Sequence, residues 1–301
     1  MRLAFLGTPE AAIPSLRALV EAGHDVGVVV TRADRRRGRG SALVASPVKR
    51  VANELGLTVT DDLSAVGRAG VERGVVVAYG AMIPAGLLAE VPMLNVHFSL
   101  LPRWRGAAPV ARAILAGDTE TGVDVISLEA TLDTGPIHDE VRVPVADKTL
   151  SELTGELAEA GASSLVSVLA SAALLAHPRP QVGAATYANK LTGADFLVDP
   201  SMPVDLAARV VRLERSWVVV DGRRLRIARA HVEESTGEAG VVHANGALSL
   251  QFIDGALVLE RIQPEGGREM TSSAWCAGAR LARNVRWEQP VSPGRPVGSG
   301  A

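Results

Sequence analysis

The order of apolar and amphipathic segments at the start of the chain constrains the fold more than any other feature. Residues 3–6 form a continuous apolar run, residues 10–22 have helical spacing and stop at Gly23, and residues 26–31 are again apolar and β-branched. Strands that are apolar at consecutive positions are typical of parallel sheets covered on both faces. The sequence therefore predicts an α/β fold with an open, mostly parallel sheet.

Later segments extend this sheet and then change character. Residues 75–78, 93–96, 122–128 and 137–143 are predicted strands. Thr149 followed by Glu152 is a capping-box pattern that predicts a helix start, and apolar residues continue the helical stripe as far as Leu175. From Trp217 onward, short strand-like runs are separated by Asp-Gly and Asn-Gly pairs. Such pairs favour hairpin turns, so the C-terminal part is predicted to be a small β-barrel or sandwich.

Composition excludes several classes of protein. The chain has 301 residues, 47% of them hydrophobic, which is enough for two folded domains. Its formal net charge is −2, so a nucleic-acid partner would have to be held by a local basic patch. Cys276 is the single cysteine, which excludes an intrachain disulfide and argues against a Cys-based zinc site. Neither a signal peptide nor a membrane-spanning run is evident, and we expect a cytoplasmic protein.

Asn95 and His97 are the leading candidates for catalysis. They are two residues apart on a predicted strand, so both side chains point to the same face. An amide donor beside an imidazole suits a reaction in which a carbonyl becomes an oxyanion and an amine loses a proton. The alternative is a structural histidine, which is the more common role of a lone buried His. The strand runs into a Pro-containing loop, where open parallel sheets place ligand sites, and this favours catalysis.

Asp133, in a Leu-Asp-Thr-Gly sequence, is the candidate third member of the site. A carboxylate near an imidazole fixes the tautomer and favours the charged form. The alternative is a plain turn residue, since the sequence Asp-Thr-Gly is also typical of turns.

Gly7 follows the first strand, but Pro9 and Glu10 occupy positions where a pyrophosphate would need free amides. A tight turn is the better interpretation there, and binding of NAD is disfavoured.

Two basic segments could contact phosphates. Residues 32–40 form a glycine-containing loop with arginines at Arg35, Arg36, Arg37 and Arg39. This loop is either a solvated surface segment or a phosphate-binding arm that orders on binding RNA. Arg103-Trp104-Arg105 could stack on nucleic acid or brace the loop after His97, and we favour bracing.

These motifs together resemble the methionyl-tRNA formyltransferase family of folate-dependent enzymes. The similarity is specific over residues 1–190 and weaker after them. Its motifs follow the family order: Phe5-Leu6-Gly7-Thr8-Pro9, the arginine loop, Ala78-Tyr79-Gly80, Asn95-Val96-His97, Ser99-Leu100-Leu101-Pro102-Arg103-Trp104-Arg105-Gly106 and Leu132-Asp133-Thr134-Gly135. One departure is that the Pro-rich segment usual before the barrel's tryptophan is missing between Arg212 and Trp217.

The resemblance implies a domain plan. A Rossmann-like formyltransferase catalytic domain would span residues 1–186, a linker residues 187–204, and an OB-like β-barrel domain residues 205–290, with residues 291–301 as a frayed tail. It also implies formyl transfer from 10-formyltetrahydrofolate to the α-amino group of methionyl initiator tRNA. The protein would act as a monomer, without a metal and without a membrane partner.

The resemblance further assigns the site residues. Asn95 and His97 would stabilise a tetrahedral oxyanion while Asp133 assists proton transfer. The folate pocket would be formed by Ser99, Leu100, Leu101, Pro102, Tyr79 and Gly80, and the tRNA would be bound by Arg35, Arg36, Arg37 and Arg39. Two alternatives stay open: a formyltransferase acting on another amine such as an amino sugar nucleotide, and a non-catalytic RNA-binding relative.

Overall fold

The computed structural model describes residues 1–36, 43–244, 246–281 and 285–287. Arg37, Arg39 and the predicted tail of residues 291–301 lie outside the described residues, and so does the side chain of Arg36. The chain divides into two compact units. The first comprises Met1–Ala113 and Asp118–Lys190, and the second comprises Ile114–Gly117 and the chain from Leu191 onward.

The described residues form strands and helices in an order that begins as β-α-β. The strands are β1 (Arg2–Gly7), β2 (Asp25–Val30), β3 (Arg35–Arg36), β4 (Leu43–Val44), β5 (Val59–Thr60), β6 (Arg73–Val77), β7 (Met93–His97), β8 (Arg105–Gly106), β9 (Glu120–Ser127), β10 (Ile137–Pro144), β11 (Tyr187–Ala188), β12 (Trp217–Val220), β13 (Arg223–Glu233), β14 (Val242–His243), β15 (Leu248–Gln251), β16 (Ala256–Pro264) and β17 (Met270–Thr271). The α-helices are α1 (Ile13–Glu21), α2 (Pro47–Glu54), α3 (Ala65–Arg68), α4 (Ala85–Glu90), α5 (Pro109–Ala116), α6 (Leu150–Ala170), α7 (Ala172–Ala176), α8 (Val204–Val211) and α9 (Ser272–Ala279). Short 3-10 turns occur at Glu10–Ala12 and Gly193–Phe196.

The first unit is built on a seven-stranded sheet in the order β10-β9-β7-β6-β1-β2-β5. Strands β5, β2, β1, β6 and β7 run parallel, whereas β9 is antiparallel to β7 and β10 is antiparallel to β9. The sheet is therefore mixed and largely parallel, which confirms the predicted α/β class. Both faces are covered, and the apolar residues of β1 are fully buried on either side.

Two predicted helices differ from the structure in ways that local chemistry explains. The segment predicted over residues 10–22 begins as a 3-10 turn, because Pro14 favours the first turn of the α-helix that starts at Ile13. The capping box at Thr149 is confirmed, but α6 ends at Ala170 rather than near Leu175. Ser171 interrupts the stripe because it is extended and its side chain caps a separate helix, α7.

The second unit contains a six-stranded antiparallel sheet in the order β12-β13-β16-β15-β14, with β17 paired to β16. Alternate residues of β12, β13 and β16 point into one apolar core, which also receives α8, α9 and the fully buried Trp287. One isolated bridge joins Val220 of β12 to Trp287. A second joins Val241, which lies just before β14, to Arg286. A short segment at residues 285–287 thus contacts strands at both edges of this sheet. None of the helices in the described part of the chain combines the length and apolar character that crossing a membrane requires.

Candidate active site

A cavity of about 770 Å³ opens at the carboxyl ends of β1, β6 and β7 in the first unit. The order of strands reverses at β1, since β6 lies on one side and β2 on the other. Open α/β sheets bind ligands at such a reversal, and pockets of this volume hold small molecules. The cavity is lined by residues that follow β1 and β6, by β7 and by the loop after β9, among them Thr8, Tyr79, Asn95, His97, Leu132 and Asp133.

Asn95, His97 and Asp133 meet in this cavity. All three are nearly buried, with 9%, 6% and 7% of their surfaces exposed. The Asn95 Nδ2 amide lies 3.5 Å from Asp133 Oδ1. The His97 Nδ1 atom lies 3.7 Å from Asp133 Oδ2, which is close enough for charge attraction and too long for a direct hydrogen bond. The structure therefore brings together the three residues that the sequence suggested as a catalytic set.

The orientation of the His97 ring is fixed by the backbone. Its Nε2 atom is 3.0 Å from the carbonyl oxygen of Trp104. A carbonyl can only accept, so Nε2 carries the hydrogen and donates it. Nδ1 is consequently the ring nitrogen that faces Asp133 and the cavity.

Asp133 is held by a strained turn. Its φ of +52° lies in the left-handed region, which is unusual for a residue other than glycine. Its Oδ2 accepts a 2.7 Å hydrogen bond from the backbone N–H of Gly106. Gly135 is required nearby, because a Cβ there would lie 1.8 Å from the Ser127 carbonyl oxygen. Ala78 and Trp104 also have positive φ values, so unusual backbone conformations cluster around the site, as they do at functional sites.

Tyr79 and Gly80 line the cavity on the β6 side. The Tyr79 carbonyl accepts a hydrogen bond from the hydroxyl of Thr8. Burial raises the pKa of the Tyr79 phenol, so this ring stays uncharged at neutral pH. The Arg32 guanidinium donates to the Gly80 carbonyl and places a positive charge at the same edge.

Residues 99–102 lie elsewhere: Ser99, Leu100, Leu101 and Pro102 are not part of the cavity lining. Ser99 is fully buried and its hydroxyl donates to the Arg103 carbonyl at 2.6 Å. The Leu101 N–H donates to Asp124 at 2.7 Å. These contacts shape the loop behind His97, and a direct contact of these four residues with folate stays a prediction.

The Arg-Trp-Arg segment braces the site. The Arg103 guanidinium and the Trp104 indole N–H both donate to Asp118. The Arg105 guanidinium donates to Gln181 Oε1, and the Gln181 amide donates to the carbonyls of Asp133 and Gly135. The segment thus connects the loop after β7 to the turn that carries Asp133, in agreement with the bracing interpretation.

The predicted phosphate-binding arm is described only at its ends. Arg35 and Arg36 pair with Val44 and Leu43 as a two-stranded antiparallel ribbon, and the Arg35 side chain is exposed. Asp34 beside the ribbon binds the Lys49 ammonium at 2.9 Å. The binding of tRNA by Arg35, Arg36, Arg37 and Arg39 stays a prediction.

Three charged residues that line the cavity were not assigned to the site from the sequence: Arg32, Glu129 and Lys190. Lys190 is distant in the chain, and the pairing of β11 with β8 helps to bring its segment to the site. Arg32 belongs to the arginine-rich segment, where nothing local separates it from its neighbours. Within the described residues, no group of three or more His, Cys, Asp or Glu side chains could hold a metal ion.

Family models define the class of protein to which this fold and site belong. Residues 1–169 match the model described as formyl transferase, and residues 209–280 match the formyl transferase C-terminal domain. Similar full-length relatives are more specific. The methionyl-tRNA formyltransferase of Rhizorhabdus wittichii is 41% identical over 309 residues, covering 96% of this chain and 99% of the relative. That of a Jannaschia species is 39% identical over 300 residues, covering 94% and 98%. The chain belongs to the methionyl-tRNA formyltransferase family.

A solved structure shares the fold. HypX from Aquifex aeolicus in complex with tetrahydrofolic acid superposes with a TM-score of 0.66 and 18% identity, covering 99% of this chain. The matched part is 50% of HypX, so the chain spans about half the length of that protein. At this level of identity the likeness concerns the fold alone.

Proposed function

We propose that this protein transfers the formyl group of 10-formyltetrahydrofolate to the α-amino group of methionyl initiator tRNA. The observation that carries the proposal is the convergence of Asn95, His97 and Asp133 on one cavity. A relative that is 41% identical over nearly the whole chain and is named methionyl-tRNA formyltransferase supports the same acceptor.

The three side chains supply what formyl transfer needs. The amine nitrogen attacks the formyl carbon, a C–N bond forms, and the carbonyl electrons move to oxygen. The Asn95 amide and the His97 Nδ1–H are the donors for this oxyanion, and the water-poor setting of both strengthens their effect. When the oxyanion collapses, the bond to N10 of the folate breaks, N10 takes up a proton in place of the one that the amine has lost, and tetrahydrofolate leaves. No covalent intermediate with the protein is required.

Proton transfer falls to Asp133. To donate from both nitrogens the His97 ring must carry a hydrogen on each, and the Asp133 carboxylate faces Nδ1 at 3.7 Å. Each Asp133 oxygen accepts one identified hydrogen bond, from Gly106 or from Asn95, and keeps a second lone pair. Asp133 is therefore able to take the proton released by the attacking amine, directly or through a water molecule.

The substrates would enter from different sides. The cavity wall at Tyr79 and Gly80 offers backbone polar groups and an uncharged ring to the flat pteridine of the folate. Residues 99–102 would shape the folate pocket from behind. The arginine arm that begins at Arg35 would bind phosphates of the tRNA acceptor stem, because exposed guanidinium groups pair with phosphate oxygens.

We also propose the domain plan given above. Residues 1–186 would catalyse, residues 187–204 would link, and residues 205–290 would form an OB-like domain that contacts tRNA. The bridges of Trp287 to Val220 and of Arg286 to Val241 support an OB-like closure, because they connect the two edges of the antiparallel sheet. The protein would act in the cytoplasm, where translation begins, and as a monomer, since one chain carries the complete cavity.

The proposal is tested by incubating the purified full-length protein with 10-formyltetrahydrofolate and one of three acceptors: methionyl initiator tRNA, uncharged initiator tRNA or an amino sugar nucleotide. We expect formylation of the methionyl tRNA alone. Formylation of the sugar nucleotide instead would show a different acceptor. Tight binding of tRNA without measurable folate binding or transfer would favour the non-catalytic alternative.

A further inference from the structure

Asp124 is a carboxyl group beside the active site that the chemistry above does not use. It lies on β9 and is fully buried. In the pairing of β7 with β9 it is directly opposite His97. Opposite residues of an antiparallel pair project to the same face with Cβ atoms about 4.5–5.5 Å apart. Asp124 therefore shares the face of the sheet that carries the catalytic histidine.

The contacts of Asp124 are unusual for a buried carboxyl. Its Oδ2 accepts the 2.7 Å hydrogen bond from the Leu101 N–H, while its Oδ1 has no hydrogen-bond partner among the described residues. Burial raises the pKa of this carboxyl to about 7. The Leu101 N–H, Arg179 and Arg142 oppose this shift, and Glu140 adds to it.

Such a group is costly to keep. A buried polar atom without a partner loses its hydration and gains nothing in return. The Leu101 N–H needs an acceptor at this position, but a neutral acceptor would meet that need without burying an ionisable group. The neighbours of Asp124 on β9, Val123 and Val125, are themselves buried valines. Stability alone therefore does not explain a carboxyl at this position.

Three hydrogen bonds, joined by the backbone of the loop after β7, connect Asp124 to the catalytic ring. Asp124 holds the Leu101 N–H in the middle of the loop that follows β7. Within that loop the Ser99 hydroxyl donates to the Arg103 carbonyl, which closes the turn. The next carbonyl, that of Trp104, receives the His97 Nε2–H. A shift of the loop at Leu101 would therefore move the group that orients His97.

We propose that Asp124 is a positioning residue for formyl transfer, which holds the loop after β7 through the Leu101 N–H so that the Trp104 carbonyl keeps His97 in its reactive orientation. This inference rests on the proposed function. It requires a hydrogen-bond acceptor at position 124, and a carboxamide meets that requirement as well as a carboxylate does.

The test compares Asp124→Asn with Asp124→Val in the full-length protein, measuring kcat, both KM values and the melting temperature. Asp124→Asn keeps the acceptor and should retain kcat within about threefold. Asp124→Val removes the acceptor, and kcat should fall roughly 10- to 100-fold, since misplacement of a reacting group by about 1 Å can cost about 10² in rate. The melting temperature of Asp124→Val should fall no further than that of the control Ser164→Ala, because each variant loses one hydrogen bond. Asp124→Ala serves the same purpose if the valine variant does not fold.

Ser164→Ala is the matched control, because it removes a partly buried hydrogen bond, to Asp139, far from the loop in sequence. It should lower the melting temperature and leave kcat near that of the wild type. A wild-type kcat in Asp124→Val would overturn the inference. So would an Asp124→Asn variant as slow as Asp124→Val, or a rate loss that only follows the melting temperature in all variants. These failures occur with an active wild type, whereas an inactive wild type overturns the proposed function itself.

Discussion

The Asn95 amide contributes a donor that is weakly engaged within the protein. Its 3.5 Å separation from Asp133 Oδ1 is at the long limit for a hydrogen bond, so the amide can turn to a substrate oxygen with little loss. We predict that Asn95→Ala lowers kcat by about 10²–10³, as the removal of one oxyanion donor does, with little change in the KM for folate. Asn53→Ala, at an exposed position on α2, is the control and should keep the wild-type rate. A loss confined to KM would contradict the assignment.

The buried Asp124 carboxyl leads to a prediction of how the stability of the folded protein depends on pH. Its pKa rises from the ordinary 3.8 of an aspartate side chain to about 7 in the folded protein, so between these values the folded state binds a proton that the unfolded state has released. The free energy of unfolding therefore falls as pH rises through this window. Above it, the ionised Asp124 carboxylate destabilises the folded state most. We predict that the melting temperature of Asp124→Asn, relative to the wild type, increases from pH 4 to pH 7 and then levels off. A difference that does not change with pH would contradict this.

The loop between β7 and α5 carries the backbone carbonyl that orients His97. Asp118 binds both the Arg103 guanidinium and the Trp104 indole, and Trp104 supplies the carbonyl that orients His97. We predict that Asp118→Ala reduces kcat about tenfold by loosening this carbonyl, with a smaller effect on the KM for folate. Asp62→Ala is matched, because Asp62 also binds an arginine, Arg68, but outside the cavity. Equal rates for the two variants would contradict the role of Asp118.

Elements defined by local chemistry were predictable from the sequence. The start of α6 was predicted because the Thr149–Glu152 box is self-contained. The placement of Asn95 and His97 on the same face of β7 followed from the two-residue period of a strand. The shape of the loop after His97 did not follow, because it is set by long-range contacts to Asp118, Asp124 and Thr186. Residues 99–102 consequently took positions behind the cavity that no local pattern indicated.

The molecule as a whole has to bind an anionic macromolecule although its net charge is −2. We therefore predict that single arginines in the arm, such as the exposed Arg35, matter for tRNA and not for folate. Arg35→Ala should raise the KM for methionyl tRNA several-fold, leave the KM for folate unchanged and weaken the salt dependence of tRNA use. Arg17→Ala, which removes the same charge from α1, is the control. Equal effects of Arg35→Ala on both substrates would contradict the binding of tRNA by the arginine arm.

The α/β class was predictable for the whole first unit, since continuous apolar strands admit few other arrangements. The antiparallel course of β9 and β10 was not, because a fully buried strand shows the same pattern in either direction. The role that we propose for Asp124 was likewise hidden. It is one polar residue within a buried strand. The register between β7 and β9, which places it opposite His97, is needed to show that it lies beside the candidate site.

The most direct test of a catalytic site formed by Asn95, His97 and Asp133 is the rate of formyl transfer to methionyl tRNA. It is measured for His97→Ala and Asp133→Ala, with His138→Ala as the control. His138 is buried to nearly the same degree as His97 and also bonds to a backbone carbonyl, that of Leu174, but it does not line the cavity. We predict losses of at least about 10² in kcat for the first two variants and a rate within a few-fold of wild type for the third. Near-wild-type rates in both His97→Ala and Asp133→Ala would contradict the account.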